Sequence, residues 1–221
     1  ARAIDWEDIA IGPGPSSDVD YLYLADTGNN TLTRSVVTVY RVPEPRLDGK
    51  SSTATRSLNG VEALSFRFPG SPHECETLLV DPLTADLYLV SRDRNARQGG
   101  NSFVFLSPAP HRPGTTRTLE LVASFPAPIE IKGGDISPDG GMILLRAHST
   151  RQQGKALLWN RERKEAPLAQ VFGEPGHSAP VRREPKGEAI AFSADGRSYF
   201  TVGEGLTAPI YRYDVPPEPD Q

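Results

Sequence analysis

A chain of 221 residues with 28 acidic and 24 basic side chains has a formal net charge of −4, so it lacks the basic footprint of a nucleic-acid binder, and neither DNA nor RNA is an expected partner. Its length suits one larger all-β domain with a core of its own. A single cysteine, Cys75, excludes an internal disulfide, and no run of 18 apolar residues is present to suggest a membrane span.

In chain order, Asp5-Trp6-Glu7-Asp8-Ile9-Ala10-Ile11 leads into a short apolar run, and Tyr21-Leu22-Tyr23-Leu24 follows a Gly/Pro/Ser-rich turn; both read as strands. Val39-Tyr40-Arg41 supplies a third strand with an aromatic, and residues 61–68 a fourth. The order then repeats. Glu74-Cys75-Glu76-Thr77-Leu78-Leu79-Val80 is followed by the turn 81–86, then Leu87-Tyr88-Leu89-Val90, Val104-Phe105-Leu106 and residues 119–125. Lys132-Gly133-Gly134-Asp135-Ile136-Ser137 leads through Ser137-Pro138-Asp139-Gly140 to Met142-Ile143-Leu144-Leu145, Leu158-Trp159-Asn160 and a predicted outer strand at 168–172. Lys186-Gly187-Glu188-Ala189-Ile190-Ala191-Phe192 leads through Ser193-Ala194-Asp195-Gly196 to residues 198–202 and Ile210-Tyr211-Arg212. The Pro, Asp and Gly of these turns are what tight reversals demand.

These units recur at intervals of roughly 50 to 70 residues, each with three or four antiparallel strands, which is the sequence grammar of an all-β fold, a β-propeller of four-stranded blades. Aligned on their first strands, Glu7, Glu76, Gly134 and Glu188 take equivalent positions. The fourth unit runs into Pro216-Pro217 without an outer strand. Two expectations follow: residues 1–4 supply that strand and close the ring, or a further blade precedes the first unit, making four or five blades in one domain. Trp6 and Trp159 are expected in the core, and His73, His111 and His177 in solvated loops. Residues 92–101 and 161–186 are expected to form long surface loops. Residues 1–6 do not form a signal peptide, so a secreted or periplasmic location requires a signal already removed.

The stretches "DWEDIAIGPG", "YLYLADTGNN", "VYRVPEP", "ETLLVDPLTADLYLVSRD", "GGDISPDGGMILLR" and "GEAIAFSADGRSYFTVGEG" resemble a group of bacterial β-propeller proteins along nearly the whole chain. More distantly the chain is similar to esterase-like phytases and gluconolactonase-type propellers, a likeness carried by the acidic strand entrances. The distant resemblance implies a calcium or other divalent ion in the central tunnel, and the resemblance to the nearer bacterial group implies one more blade ahead of "DWEDIA".

In a propeller the residues opening each innermost strand and closing each second strand converge at one tunnel mouth. The first set contributes Glu7, Asp8, Glu76, Asp135 and Glu188. The second contributes Asp26, Asn29, Asn30, Arg92, Asp93, Arg146, His148 and Glu204. Carboxylates facing one funnel repel one another and call for a cation. Calcium suits them, since it takes six to eight oxygen ligands, and Glu7, Glu76, Asp135 and Glu188 are the ligand candidates. The same acidic positions equally suit acceptance of backbone N–H bonds from a neighbouring blade, and Arg92 and Arg146 equally suit neutralisation without metal. Residues 26–30 lack the terminal Glu of an EF-hand loop and read as a turn. His148, at the end of a second strand, is the candidate general base. Cys75 lies between two glutamates, which raises a thiol's pKa and disfavours it as a nucleophile. The absence of a Gly-Xaa-Ser-Xaa-Gly elbow, a phosphate loop and zinc-type spacing removes most enzyme classes. Two functions remain: a calcium-dependent hydrolase of small esters, lactones or phosphoesters, and a non-catalytic module presenting its top face to a protein or glycan.

Overall fold

A computed structural model describes residues 3–46, 57–92, 100–127, 130–149 and 152–216, without the side chains of His148, Ser149, Gln152 and Gln153. Four antiparallel sheets form the blades of a β-propeller. Blade 1 contains β1 (Asp8–Gly12), β2 (Tyr21–Asp26), β3 (Val37–Pro43) and β4 (Glu62–Arg67). Blade 2 contains β5 (Cys75–Val80), β6 (Leu87–Ser91), β7 (Asn101–Ser107) and, as its outer strand, β9 (Glu120–Pro126). Between β7 and β9 the chain detours through β8 (Thr116–Thr118), which pairs parallel to β4 and so covers the outer edge of blade 1. Blade 3 contains β10 (Ile131–Ile136), β11 (Met142–Ser149), β12 (Gln152–Asn160) and β13 (His177–Ala179). Blade 4 has three strands, β14 (Gly187–Phe192), β15 (Ser198–Gly203) and β16 (Tyr211–Asp214).

Burial along the innermost strands shows how the blades stack. Every residue of β5 is buried, because blades 1 and 3 cover both of its faces, and β10 is nearly as enclosed. By contrast β1 and β14 alternate, as strands covered on one face do. Ala10 is buried, while Ile9 and Ile11 are 58% and 48% exposed. β1 packs on β5, β5 on β10 and β10 on β14, but β14 and β1 make little contact. The ring is therefore open by a cleft between blades 4 and 1.

Three apolar clusters fill the blade interfaces. Tyr23, Val39, Phe66, Leu78 and Phe105 lie between blades 1 and 2; Tyr88, Val104, Phe125, Ile143 and Trp159 between blades 2 and 3; Leu144, Leu158, Ile190 and Tyr199 between blades 3 and 4. Each large side chain so buried stabilises the fold by about 1.5–3 kcal/mol.

Several sequence expectations change. Residues 168–172 form a 3-10 turn, Leu168–Gly173, and the outer strand of blade 3 is β13; Leu168 and Phe172, four residues apart, both face inward, and Phe172 stacks on Phe125. The span 161–186 thus holds two elements, and Arg161 is buried against Asp81 at 2.9 Å. Of the expected closing strand, residues 1 and 2 lie outside the described residues, and Ile4 is held in blade 1, where its N–H and that of Asp5 donate to the Asp26 carboxylate. Trp6 is half exposed beside Tyr40, whereas Trp159 is buried. His111 is buried, with Nε2 against the Ala85 carbonyl, and His73 is half-buried among Phe68, Phe103 and Phe105; only His177 is exposed. Cys75 is buried, and burial, with Glu74 and Glu76, pushes its thiol pKa well up.

Candidate functional site

Three inner strands carry a bulge at their first turn. The ladder slips between Cys75 and Thr77, between Ile131 and Gly133, and between Gly187 and Ala189, leaving Glu76, Lys132 and Glu188 as the extra residues. A bulge re-aims its side chain out of the alternating pattern, and here all three turn to one opening. Lys132 Nζ lies 2.6 Å from Glu76 Oε2 and 3.5 Å from Glu188 Oε1. Glu7 holds the matching place in blade 1, its N–H donating to the Ala25 carbonyl. The repeat is therefore Glu7, Glu76, Lys132 and Glu188. Gly134, assigned to the third place from sequence, lies two residues deeper, where a Cβ would meet Leu145 Cδ2 at 2.5 Å and a glutamate has no room.

Around this set stand Glu74, Glu130 and Arg92. Carboxylate oxygens of Glu7, Glu74 and Glu76 lie within 4.8 Å of one another. The Arg92 guanidinium contacts Glu76, reaches Glu74 at 3.5 Å and Glu130 at 2.6 Å. Among the described residues, two cations thus face five carboxylates. Burial, followed by the charges of Glu76, Asp5 and Glu74, pushes the Glu7 carboxyl up to about 8, so it keeps its proton at neutral pH. Burial also raises Glu76, although Lys132 and Arg92 oppose the shift. The loop after β2 closes on these acids through Gly28, whose Cβ, were it present, would sit 2.2 Å from Glu7 Oε1.

The other predicted residues divide by location. Asp8, which lines the same cleft as Glu7, Lys132 and Glu188, and Asp135 bind backbone: Asp8 accepts from Ile9 N–H and, across to blade 2, from Leu78 N–H at 2.9 Å. Asp135 accepts from Ile136 N–H and, across to blade 4, from Phe192 N–H at 2.7 Å. Burial lifts both carboxyls, Asp135 to about 6, while those N–H groups pull the other way. Asp26 is tied to Ile4, Asp5 and Arg34, and Asn29 organises the turn to Arg34. Asn30 bonds the Asp5 carboxylate at 3.4 Å at the rim of the cluster. Glu204 pairs with Lys186 at the mouth of the cleft. Arg146 is fully buried between blades 3 and 4, 3.7 Å from Glu184 and against Gly187, the residue before Glu188. His148 ends β11 with its side chain outside the described residues, and Asp93 lies outside them entirely.

The cleft between blades 1 and 4 opens beside this cluster, with a volume of about 440 Å³. Trp6, Ile9 and Leu24 form one wall and Ala189 and Val202 the other, with Glu7, Lys132, Glu188 and Glu204 also lining it. An apolar slot thus adjoins a cluster of hard oxygen donors, one of which carries a proton available for transfer. Glu7, Glu74 and Glu76 could together hold a metal ion, since their carboxylate oxygens lie within 4.8 Å of one another.

Sequence reading missed Lys132, Glu74 and Glu130. A charged residue two places before each bulge position, as in Asp5-Xaa-Glu7, Glu74-Xaa-Glu76, Glu130-Xaa-Lys132 and Lys186-Xaa-Glu188, was the signal that would have found them.

No family model and no curated protein matches the chain. Among solved structures it is similar to TolB from Acinetobacter baumannii, with TM-score 0.48 and 15% identity over 90% of this chain and 41% of that one. It is also similar to the periplasmic gluconolactonase PpgL of Pseudomonas aeruginosa, with TM-score 0.45 and 12% identity over 96% of this chain and 58% of that one. The Dos1 propeller matches with TM-score 0.37 and 13% identity over 93% of this chain and 67% of that one. The chain thus spans about half the length of the first two.

Proposed function

We propose that Glu7, Glu74 and Glu76 hold a divalent cation, calcium by their chemistry, and that the adjoining cleft takes a small ester, lactone or phosphoester for hydrolysis. The observation that carries this reading is the excess of carboxylate over cation among the described residues: with Arg92 and Lys132 both engaged, burial and then the charges of Glu76, Asp5 and Glu74 leave Glu7 holding a proton at neutral pH. When bound, the ion would polarise a substrate oxygen and lower the pKa of a bound water. The chain's own groups orient and transfer. Trp6, Ile9 and Val202 exclude water from the apolar part of the ligand. Lys132 fixes Glu76 and Glu188, and Glu7, released from its proton, accepts one from water.

Calcium at 100 times its dissociation constant should stabilise the protein by about 2.7 kcal/mol. Thermal unfolding with calcium and with EDTA, in wild type and Glu76→Gln, reads this directly. A shift in wild type alone supports the site, and no shift in either removes it. Turnover of a panel of chromogenic esters, lactones and phosphoesters that Glu7→Gln abolishes supports hydrolysis. A calcium shift without turnover leaves a second reading, a metal-stabilised module binding protein or glycan, which the half-exposed Trp6 and Ile9 favour.

A further inference from the structure

A second pocket, of about 480 Å³, lies between blades 2 and 3; of its lining residues Ile131, between Glu130 and Lys132, adjoins the acidic cluster in the chain, and the rest of the wall comes from β9, β11, β12 and the 3-10 turn with the segment after it. Its main wall is β12, and strand alternation sets what that wall shows. Ala156 and Leu158 point to blade 4 and are buried there, so Lys155, Leu157 and Trp159 share the opposite face. At about 3.3 Å per residue, these three form a ladder of about 13 Å from an amine to an indole. Phe125 and Phe172, stacked at 5.2 Å, close the indole end, each packed edge-on to Trp159.

The polar groups are distributed unevenly along this ladder. The indole N–H is already used, donating to the Glu174 carbonyl at 2.9 Å, so the inner end offers an apolar surface and no free indole donor. That bond also fixes Glu174 at the indole end, four residues along the strand from Lys155. Lys155 is exposed, and among the described residues it forms no ion pair. An apolar floor with one free cation at the far rim complements a ligand with an apolar body and an anionic head about 10 Å away.

We propose that this pocket binds a small monocarboxylate with an aryl or alkyl body, its ring or chain over Leu157 and Trp159 and its carboxylate at Lys155. Trp6→Phe leaves Trp159 as the only indole, so its fluorescence reports occupancy of this pocket alone. Titration with 4-phenylbutyrate, 4-phenylbutanol and 4-phenylbutylamine should give saturable changes, with the acid at least about tenfold tighter than the alcohol and the amine weakest. Lys155→Met, at an exposed position, should bring the acid to the affinity of the alcohol and leave the alcohol unchanged. The proposal is overturned if no probe saturates, if the amine matches the acid, or if Lys155→Met leaves acid binding as it was.

Discussion

Glu7 is the residue on which the chemistry turns, and its titration has a definite sign. Its folded pKa, about 8, lies above the ordinary 4.5, so the folded state binds the extra proton between those values. Stability from this group is fully present below about pH 4.5 and is lost as pH rises through about 8. The group is half-buried, and with solvent screening the loss amounts to about 1–2 kcal/mol. Urea unfolding of Glu7→Gln should therefore match wild type near pH 5 and exceed it by that amount near pH 9; a difference that does not grow with pH would show that Glu7 ionises normally. A bound cation must displace the same proton, so calcium affinity should rise up to about pH 8 and then level off. Lys132 tests the cluster from the other side. Lys132→Gln removes a buried partner of Glu76 and should cost about 3 kcal/mol, and calcium should restore most of it if the three carboxylates hold the ion. Glu7, Glu76 and Glu188 were legible in the sequence because each precedes an apolar run. Lys132 was not, because Asp135 offered a carboxylate at a similar offset, and only the ladder slip shows which residue is re-aimed.

Among the elements, the clasps between blades carry the specificity that apolar contact alone lacks. Asp8 joins β1 to β5 and Asp135 joins β10 to β14, each through a backbone N–H of the next blade. Arg161, just beyond β12, reaches back to Asp81 at the β5–β6 turn, and Asp81 in turn accepts from Leu83 N–H. Both partners are buried, so removing one leaves a charge unpaired in a poorly solvated site. Arg161→Leu should cost about 3–5 kcal/mol, and Asp81→Asn with Arg161→Leu less than the sum of the single changes; additive losses in urea titrations would show that the pair does not act as a clasp. The strands themselves were readable, since β-branched and aromatic runs between Pro, Asp and Gly turns leave little choice. The segment at 168–172 was misread as a strand because five apolar-rich residues fit either period. Leu168 and Phe172, four residues apart, share a face in a strand as well as in this turn, so their spacing could not decide between the two, and Trp159 and Phe125 supply the surface they cover.

At the scale of the molecule, the propeller could be recognised from its repeat, but the opening between blades 4 and 1 could not. β1 and β5 differ only subtly in sequence, "DIAIG" against "CETLLV", although the first is covered on one face and the second on both. The opening has an energetic counterpart. Among the described residues, the cluster between blades 1 and 2 contains 16 buried apolar residues, that between blades 2 and 3 has 14, and that between blades 3 and 4 has 6. Among the described residues blade 4 also has three strands where the other blades have at least four, so it has the least apolar burial to lose on opening. Native-state hydrogen exchange should accordingly find β14 and β15 opening at least about 2 kcal/mol below β5, β6 and β11, which should exchange only by global unfolding. Equal protection throughout would mean that blade 4 is held as firmly as the rest. Calcium sharpens the test, because Glu7 belongs to blade 1 and Glu74 and Glu76 to blade 2. An ion there raises the cost of separating blades 1 and 2 and leaves local opening of blade 4 unchanged. A ligand in the cleft touches both blade 1 and blade 4, so it alone should slow exchange in β14 and β15.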